Sequence, residues 1–187
     1  MTVNSIDNLD IWIFSASCHS GLNFLATSID SHQETIAIPS LGFFNKLYHL
    51  TNLKDYKNFN VKNEKKFLIN FVDLLYSYGK RTLECKFLNN KIEKNNFLRI
   101  FLEIYKNYKE DIFLKKIFFS LHLAFVKFFK MDLKKKKVII VYEKSTIYIP
   151  FYFEFFKKSK VLLLIRNPIN SYAGYKTSYI KNNTYFS

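Results

Sequence analysis

The residues near the start of the chain that are best suited to chemistry lie in the segment Ser15-Ala-Ser-Cys-His-Ser-Gly21. The aromatic and β-branched run 10–15 leads into it, which is typical of a buried strand, and apolar residues at helical spacing follow from Leu22. A turn between a strand and a helix presents unpaired backbone N–H groups, backed by the positive end of the helix dipole. The segment is therefore a candidate cradle for phosphate or sulfate. An ordinary strand-to-helix connection would have the same pattern.

This segment is not a Walker A loop, because it contains one Gly and no Lys follows it. ATP hydrolysis is therefore not expected. Cys18 lies within the segment, but no base is placed beside it by sequence, and a small buried thiol is the simpler interpretation. With Cys85 as the only other cysteine, neither a disulfide framework nor a zinc site is predicted. We expect a reducing compartment and no metal.

A second candidate for anion binding is Arg166, which follows the apolar run 161–165 and precedes Asn167-Pro168. An Arg at the carboxyl end of a parallel strand lies where open α/β sheets bind ligands. Its guanidinium group can bind a phosphate through two parallel hydrogen bonds. A surface Arg at the end of a strand is the alternative interpretation.

Both segments resemble those of sulfotransferases that use 3'-phosphoadenosine-5'-phosphosulfate. The run 14–25, followed by Ile29-Asp-Ser-His-Gln33 and Ile38-Pro39, is similar to the family's 5'-phosphosulfate loop. In that loop a strand leads into Arg/Lys-Ser-Gly-Thr/Ser-Thr and a helix ending in Leu-Asp-x-His-Pro. The run 160–175 resembles the 3'-phosphate motif, a buried strand ending in Arg-Asp/Asn-Pro with a helix behind it. Between them, 141–146 is similar to a strand ending in Glu-Lys-Ser/Thr-Pro, with Thr146 in place of Pro, and a solvated loop after a strand is the alternative interpretation of Glu143 and Lys144.

The resemblance implies a set of contacts to the 5'-phosphate. Ser20, Gly21, Leu22 and Asn23 would offer backbone N–H groups, with the Asn23 side chain as a further donor. His19 stands where the family has Arg or Lys, and when protonated it would stabilise charge on the bridging oxygen as the sulfuryl group leaves.

For the 3'-phosphate, the resemblance implies Arg166 as the principal ligand. The family usually places a Ser eight residues after this Arg, whereas Gly174 stands there in this chain, and Ser171 is the candidate substitute. The implied co-substrate is 3'-phosphoadenosine-5'-phosphosulfate, and the implied acceptor is a hydroxyl or amine of a carbohydrate or small metabolite.

Sulfuryl transfer needs a base for the acceptor, which the family supplies as Glu or His from the region after the first helix. His49 is the first candidate and Glu34 the second, although His49 could equally belong to a partly buried helix end. His122 lies on the apolar face of a predicted helix and is interpreted as a core histidine. His32 is interpreted as a packed or capping residue.

The remaining pattern predicts an α/β chain. The strand-like runs 138–142 and 161–165 flank a helix-length segment 147–158 with Pro150 in its first turn, which favours parallel strands and a right-handed crossover. Apolar periodicity predicts three helices in the middle of the chain, at 64–78, 97–108 and 112–131. We therefore predict one domain over 1–187 with a P-loop-like three-layer fold, a central parallel sheet flanked by helices and a helical insertion. The short continuation after Arg166 predicts that the family's usual C-terminal elements are absent.

The net charge of +14 and the pI of about 9.6 raise the question of polyanion binding. Most of the basic residues are Lys, and the runs 134–137 and 157–158 each precede a strand-like run, where solvated loop lysines are common. Nucleic acid is therefore not an expected partner. Residues 1–10 carry no Lys or Arg, and no apolar run approaches the roughly 18 residues of a membrane span, so a cytoplasmic protein is expected.

Overall fold

The computed structural model describes residues 3–16, 22–29, 32–38, 42–51, 63–79, 91–143 and 145–165, together with positions 167, 169, 170 and 172. Within these residues the chain has an α/β architecture with a four-stranded sheet. The strands are β1 (Asp10–Ala16), β2 (Thr35–Ala37), β3 (Val138–Glu143) and β4 (Lys160–Leu164). The helices are α1 (Leu22–Ile29), α2 (Phe43–Thr51), α3 (Glu64–Gly79), α4 (Lys91–Asn107), α5 (Phe113–Phe128) and α6 (Ile149–Phe155).

All pairings in the sheet are parallel, and the strand order is β2-β3-β1-β4. The predicted strand-helix-strand unit is confirmed in that its two strands, β3 and β4, run parallel. They are not neighbours, because β1 lies between them and pairs with both. The central position suits β1, whose residues Ile13 and Phe14 are buried on opposite faces of the sheet.

Each face of the sheet has its own apolar cluster. Ile11 and Ile13 belong to the larger cluster, which includes residues of α2 to α6. Phe14 and Ala16 belong to the smaller cluster, which contains Leu22 of α1. Helices α1 and α6 therefore lie on opposite faces. The coarse prediction of an α/β chain with a parallel sheet and a helical middle segment is confirmed.

Aromatic contacts hold the larger helical layer together. The Phe43 ring lies 5.9 Å from that of Phe71 and 5.2 Å from that of Phe118, both with edge-to-face geometry. These three side chains are fully buried and belong to α2, α3 and α5. Because such pairs stabilise beyond the burial of their area, they fix α2 relative to the longer helices.

His122 is a core residue, as predicted. Its Nδ1 lies 2.7 Å from the carbonyl oxygen of Phe118, and burial lowers the pKa of the imidazole to about 4. His32 accepts a hydrogen bond at Nδ1 from the backbone N–H of Glu34, which confirms a local capping role. Its full burial excludes His122 as a candidate for the acceptor base.

The predicted element boundaries shift in places. Helix α4 begins six residues earlier than the predicted 97, and the helix predicted over 147–158 is only the seven-residue α6, preceded by a 3₁₀ turn at Thr146–Tyr148. Pro150 lies in the first turn of α6, as expected. Strand β2 has three residues, too few to produce a readable period. No described helix has the length and apolar character needed to cross a membrane.

Candidate functional site

The carboxyl ends of the four strands form the candidate site. Because every pairing is parallel, Ala16, Ala37, Glu143 and Leu164 end along one edge of the sheet. In the strand order β2-β3-β1-β4, the connection after β1 leads towards the end of the sheet where β2 lies. The connection after β3 leads towards the opposite end, where β4 lies. In open α/β sheets, ligands bind at this carboxyl edge where neighbouring connections diverge.

The strand ends that precede the two predicted phosphate segments are paired with each other. Ala16 is the register partner of Leu164. The segment 17–21 follows Ala16 directly, and Arg166 follows Leu164 by two residues. The two segments therefore begin at neighbouring positions on the same edge.

The structure describes only some of the predicted phosphate ligands. Leu22 is the first residue of α1 and is 8% exposed, and Asn23 follows it in that helix. His19, Ser20, Gly21, Arg166 and Ser171 lie outside the described residues, as do Lys144, Gly174 and the side chain of Asn23.

The two candidate bases lie in different parts of the molecule. His49 is exposed in the last turn of α2, with its ring centroid 6.2 Å from that of Tyr48. Glu34 precedes β2 and pairs with Lys137, which precedes β3. Glu34 is therefore at the amino edge of the sheet, opposite the strand ends that lead into the phosphate segments.

A buried carboxyl group lies at the carboxyl edge. Glu143 is the last residue of β3 and has no exposed surface. The Tyr152 hydroxyl donates a hydrogen bond to Glu143 Oε2 at 3.2 Å, and the Phe43 backbone N–H donates to the Tyr152 hydroxyl at 3.2 Å. Backbone N–H groups of Asn45 and Ser145 also stabilise the carboxylate. Glu143 therefore connects the end of β3 with the start of α2 and with α6.

Gly42, which precedes α2, permits this approach. A Cβ atom at Gly42 would lie 2.9 Å from Glu143 Oε1 and 3.2 Å from Oε2. The nearer oxygen, Oε1, has no hydrogen-bond partner in the described part of the chain, so a methyl group at Gly42 would be accommodated by a shift of the buried Glu143 side chain or of α2. The absence of a side chain at Gly42 therefore favours the close approach of the two chain segments.

We expect Gly42→Ala to lower the free energy of unfolding by about 1 to 3 kcal/mol, because the added methyl group overpacks the Glu143 contact. Equilibrium urea denaturation measures this change. Ser77→Ala, at an exposed position on α3, provides a control in which little change is expected. Unchanged stability of the Gly42 variant would show that the carboxylate does not pack tightly there.

The environment of Glu143 makes it a weak acid. Burial raises its pKa to about 7, while the Tyr152 hydrogen bond, the two backbone groups and the charge of Lys46 act in the opposite direction. Lys46 is only 5% exposed. Burial and the nearby Glu143 in turn raise the pKa of Tyr152 well above its ordinary value. The cluster therefore holds a carboxyl group that titrates near neutral pH.

Ser15 completes the edge on β1. It is the register partner of Glu143 and is fully buried. Its Oγ has no hydrogen-bond partner in the described part of the chain. A second polar group thus faces the interior beside Glu143, on the strand that leads into segment 17–21.

Sequence reasoning missed most of this cluster. Glu143 was expected either to support the motif or to lie in a solvated loop, and the loop interpretation is wrong because the side chain is fully buried. A possible signal was its position directly after the uninterrupted apolar run 138–142. Gly42, Lys46 and Tyr152 carried no signal of their own, because their proximity to Glu143 depends on the tertiary fold.

A separate cleft of about 670 Å³ opens at the amino edge of the sheet. It is lined by acids, including Asp7, Asp10 and Glu110, and by bases, including Lys115 and Lys158. Burial and the neighbouring Glu110 raise the pKa of Asp7. The cleft lies away from the carboxyl ends of the strands, and no predicted site residue lines it.

No protein-family model matches the chain, and no curated protein or solved structure resembles it significantly. The functional interpretation therefore depends on the residues and geometry described above. In the described residues, no three His, Cys, Asp or Glu side chains are grouped to hold a metal ion.

Proposed function

We propose that the protein is a sulfotransferase that moves a sulfuryl group from 3'-phosphoadenosine-5'-phosphosulfate to a hydroxyl or amine of a carbohydrate or small metabolite. The observation that carries this proposal is the pairing of Ala16 with Leu164. One bound nucleotide with phosphates at both its 5' and 3' positions needs two anion sites close together. The two segments that resemble those sites leave adjacent parallel strands at the same edge.

The proposal includes a P-loop-like fold, and the order of the strands in the sheet supports it. The segment 17–21 joins β1, which is flanked by β3 and β4, to helix α1. A Gly-containing turn from an internal strand into a helix N-terminus directs backbone N–H groups at an anion. The opposed connections after β1 and β3 leave space for the nucleotide above that turn.

In the proposed reaction, the acceptor oxygen forms a bond to sulfur as the bond from sulfur to the 5'-phosphate oxygen breaks. The electron pair of the broken bond stays with the departing nucleotide. His19 in its protonated form and the N–H groups of Ser20 to Asn23 would stabilise that charge. Arg166 and Ser171 would anchor the 3'-phosphate, and His49 would take the acceptor proton.

A nucleotide-binding protein without catalysis is the second candidate. Two residues favour it: His19 replaces a permanent cation, and Gly174 replaces a Ser that shares the 3'-phosphate. The first change weakens stabilisation of charge on the departing 5'-phosphate oxygen. The second removes a contact to the 3'-phosphate and weakens binding of the nucleotide without acting on the bond that breaks.

We expect the wild-type chain to bind 3'-phosphoadenosine-5'-phosphate, and we expect Arg166→Ala to weaken binding about 30-fold. This factor corresponds to the loss of about 2 kcal/mol from charge-assisted hydrogen bonds. Isothermal titration calorimetry measures the affinity. Arg99→Ala is the matched control, since Arg99 is exposed on α4 and its loss should leave binding unchanged.

The absence of binding by the folded wild-type chain would overturn the nucleotide site altogether. Equal losses in the Arg166 and Arg99 variants would indicate attraction by overall charge. If the nucleotide binds, consumption of sulfate-labelled donor with a mixture of sugar acceptors separates a transferase from a protein that only binds.

A further inference from the structure

The Glu143 carboxyl group joins three elements, of which α2 lies far from β3 and α6 in the sequence. It ends β3, it accepts a hydrogen bond from the hydroxyl of Tyr152 on α6, and its two oxygens lie where a side chain at Gly42, directly before α2, would be. The Tyr152 hydroxyl in turn accepts the backbone N–H of Phe43. Removing this carboxyl group would release the first turn of α2 from the edge of the sheet.

Helix α2 is also the element that carries His49. The helix has nine residues, and seven positions separate Gly42 from His49, which is a rise of roughly 10 Å. Such a short helix moves as one body, so the anchoring of its first turn also sets the position of its last turn. Phe43 and Phe44 anchor the apolar side of α2 in the core. Glu143 supplies the polar contact.

We propose that Glu143 is a positioning residue of the site at the carboxyl edge of the sheet. Glu143 holds α2 and Ser145 in place beside the end of β1. The inference rests on the proposed function in one respect, since it assigns that edge to the nucleotide. Glu143 itself is fully buried and contacts protein groups, so it acts through α2 and Ser145 and not on the substrate.

The groups that face Glu143 determine how its charge acts. Lys46 on α2 stabilises the ionised form, as does the Tyr152 hydroxyl of α6. Burial raises the pKa of Tyr148, just before α6, and of Tyr152, and the charge of Glu143 raises both further. Ser15 on β1 does not titrate. Ionisation of Glu143 therefore adds one negative charge to an edge that must bind an anionic nucleotide.

The first test is hydrogen exchange of the full-length chain, followed by mass spectrometry of peptides covering 42–51 and 143–148. In Glu143→Ala we expect exchange in these peptides to increase tenfold or more while α4 and α5 remain protected. Glu143→Gln keeps an acceptor oxygen and should restore most of the protection. Phe101→Leu, in the α4 core, is the control for a general loss of stability. If Glu143→Ala does not fold, Tyr152→Phe removes the same hydroxyl link.

The second test is the affinity for 3'-phosphoadenosine-5'-phosphate between pH 6 and 8.5. Relative to Glu143→Gln, we expect the wild-type affinity to fall several-fold as the pH rises, because only the wild type gains the charge. Ionisable groups other than Glu143, including those of the nucleotide, are common to the two proteins and cancel in the ratio.

The two tests fail separately. Unchanged exchange in both Glu143→Ala and Tyr152→Phe overturns the positioning role even if the nucleotide binds. Increased exchange with no nucleotide binding at any pH overturns the proposed function and leaves the anchoring of α2 intact. Increased exchange with identical pH profiles for wild type and Glu143→Gln overturns the link between Glu143 and the nucleotide edge.

Discussion

Tyr152→Ala is expected to lower the free energy of unfolding by about 4 kcal/mol, the largest effect of any single change considered. The Tyr152 side chain is fully buried, and its ring lies 4.7 Å from that of Phe44 and 6.4 Å from that of Phe156. Its removal leaves a cavity between α2 and α6. It also leaves the Phe43 N–H and the Glu143 carboxyl without the hydroxyl that joins them.

Tyr152→Phe separates the two contributions, because it keeps the ring and removes only the hydroxyl. We expect a loss of about 1 to 2 kcal/mol. Phe153→Ala is the control on the same helix, since that side chain is 46% exposed and its loss should cost much less. Urea denaturation measures all three. If Tyr152→Phe has the same free energy of unfolding as the wild type, the hydrogen bonds that link Phe43, Tyr152 and Glu143 contribute nothing to stability.

The second large effect is a pH dependence of stability that comes from Glu143. Its pKa in the folded protein is about 7, above the ordinary 4.5 of an unfolded Glu. Between these values the folded state holds a proton that the unfolded state has released. The contribution of Glu143 to stability is therefore fully present below pH 4.5 and is lost as the pH rises through 7. The full change from this one group is about 3 kcal/mol.

Glu143→Gln should remove this dependence, because the amide stays neutral at every pH. Above pH 7 the variant is expected to be more stable than the wild type. Below pH 4.5 the two should be similar. Denaturation at several pH values between 4 and 8.5, taken as the difference between the two proteins, isolates the effect from the other titrating groups. Ser77→Ala, at an exposed position on α3 and without an ionisable side chain, should give curves parallel to the wild type. Parallel curves for Glu143→Gln would contradict the buried acid.

These stability measurements also bear on the interpretation of activity. The positioning role predicts that Glu143 affects the proposed nucleotide site through α2, so changes in affinity must be compared at equal fractions of folded protein. At neutral pH, Glu143→Gln is expected to be at least as stable as the wild type. Any weaker binding by this variant could then not be explained by unfolding.

Local sequence pattern was sufficient for most of the secondary structure. The apolar runs predicted β1, β3 and β4 close to their observed bounds, and β3 is buried along most of its length, as an uninterrupted apolar run predicts. The expectation that the run 161–165 is also fully buried is wrong, because β4 is an edge strand of the described sheet and its Leu162 and Leu163 are 44% and 47% exposed. The helical period predicted α3 to α5, and the fixed φ of Pro150 placed it in the first turn of α6. The place of His122 in the core also followed from helical spacing.

Only the tertiary structure decided which strands are neighbours and which polar residues meet. The insertion of β1 between β3 and β4 depends on contacts between residues more than 120 positions apart, to which no local period refers. The burial of Glu143 depends on Gly42 and Tyr152, which come from two different helical segments. A Glu at the end of a strand gives the same sequence pattern whether solvent or a helix N-terminus covers its carboxyl group. Long-range packing determines which of the two covers it.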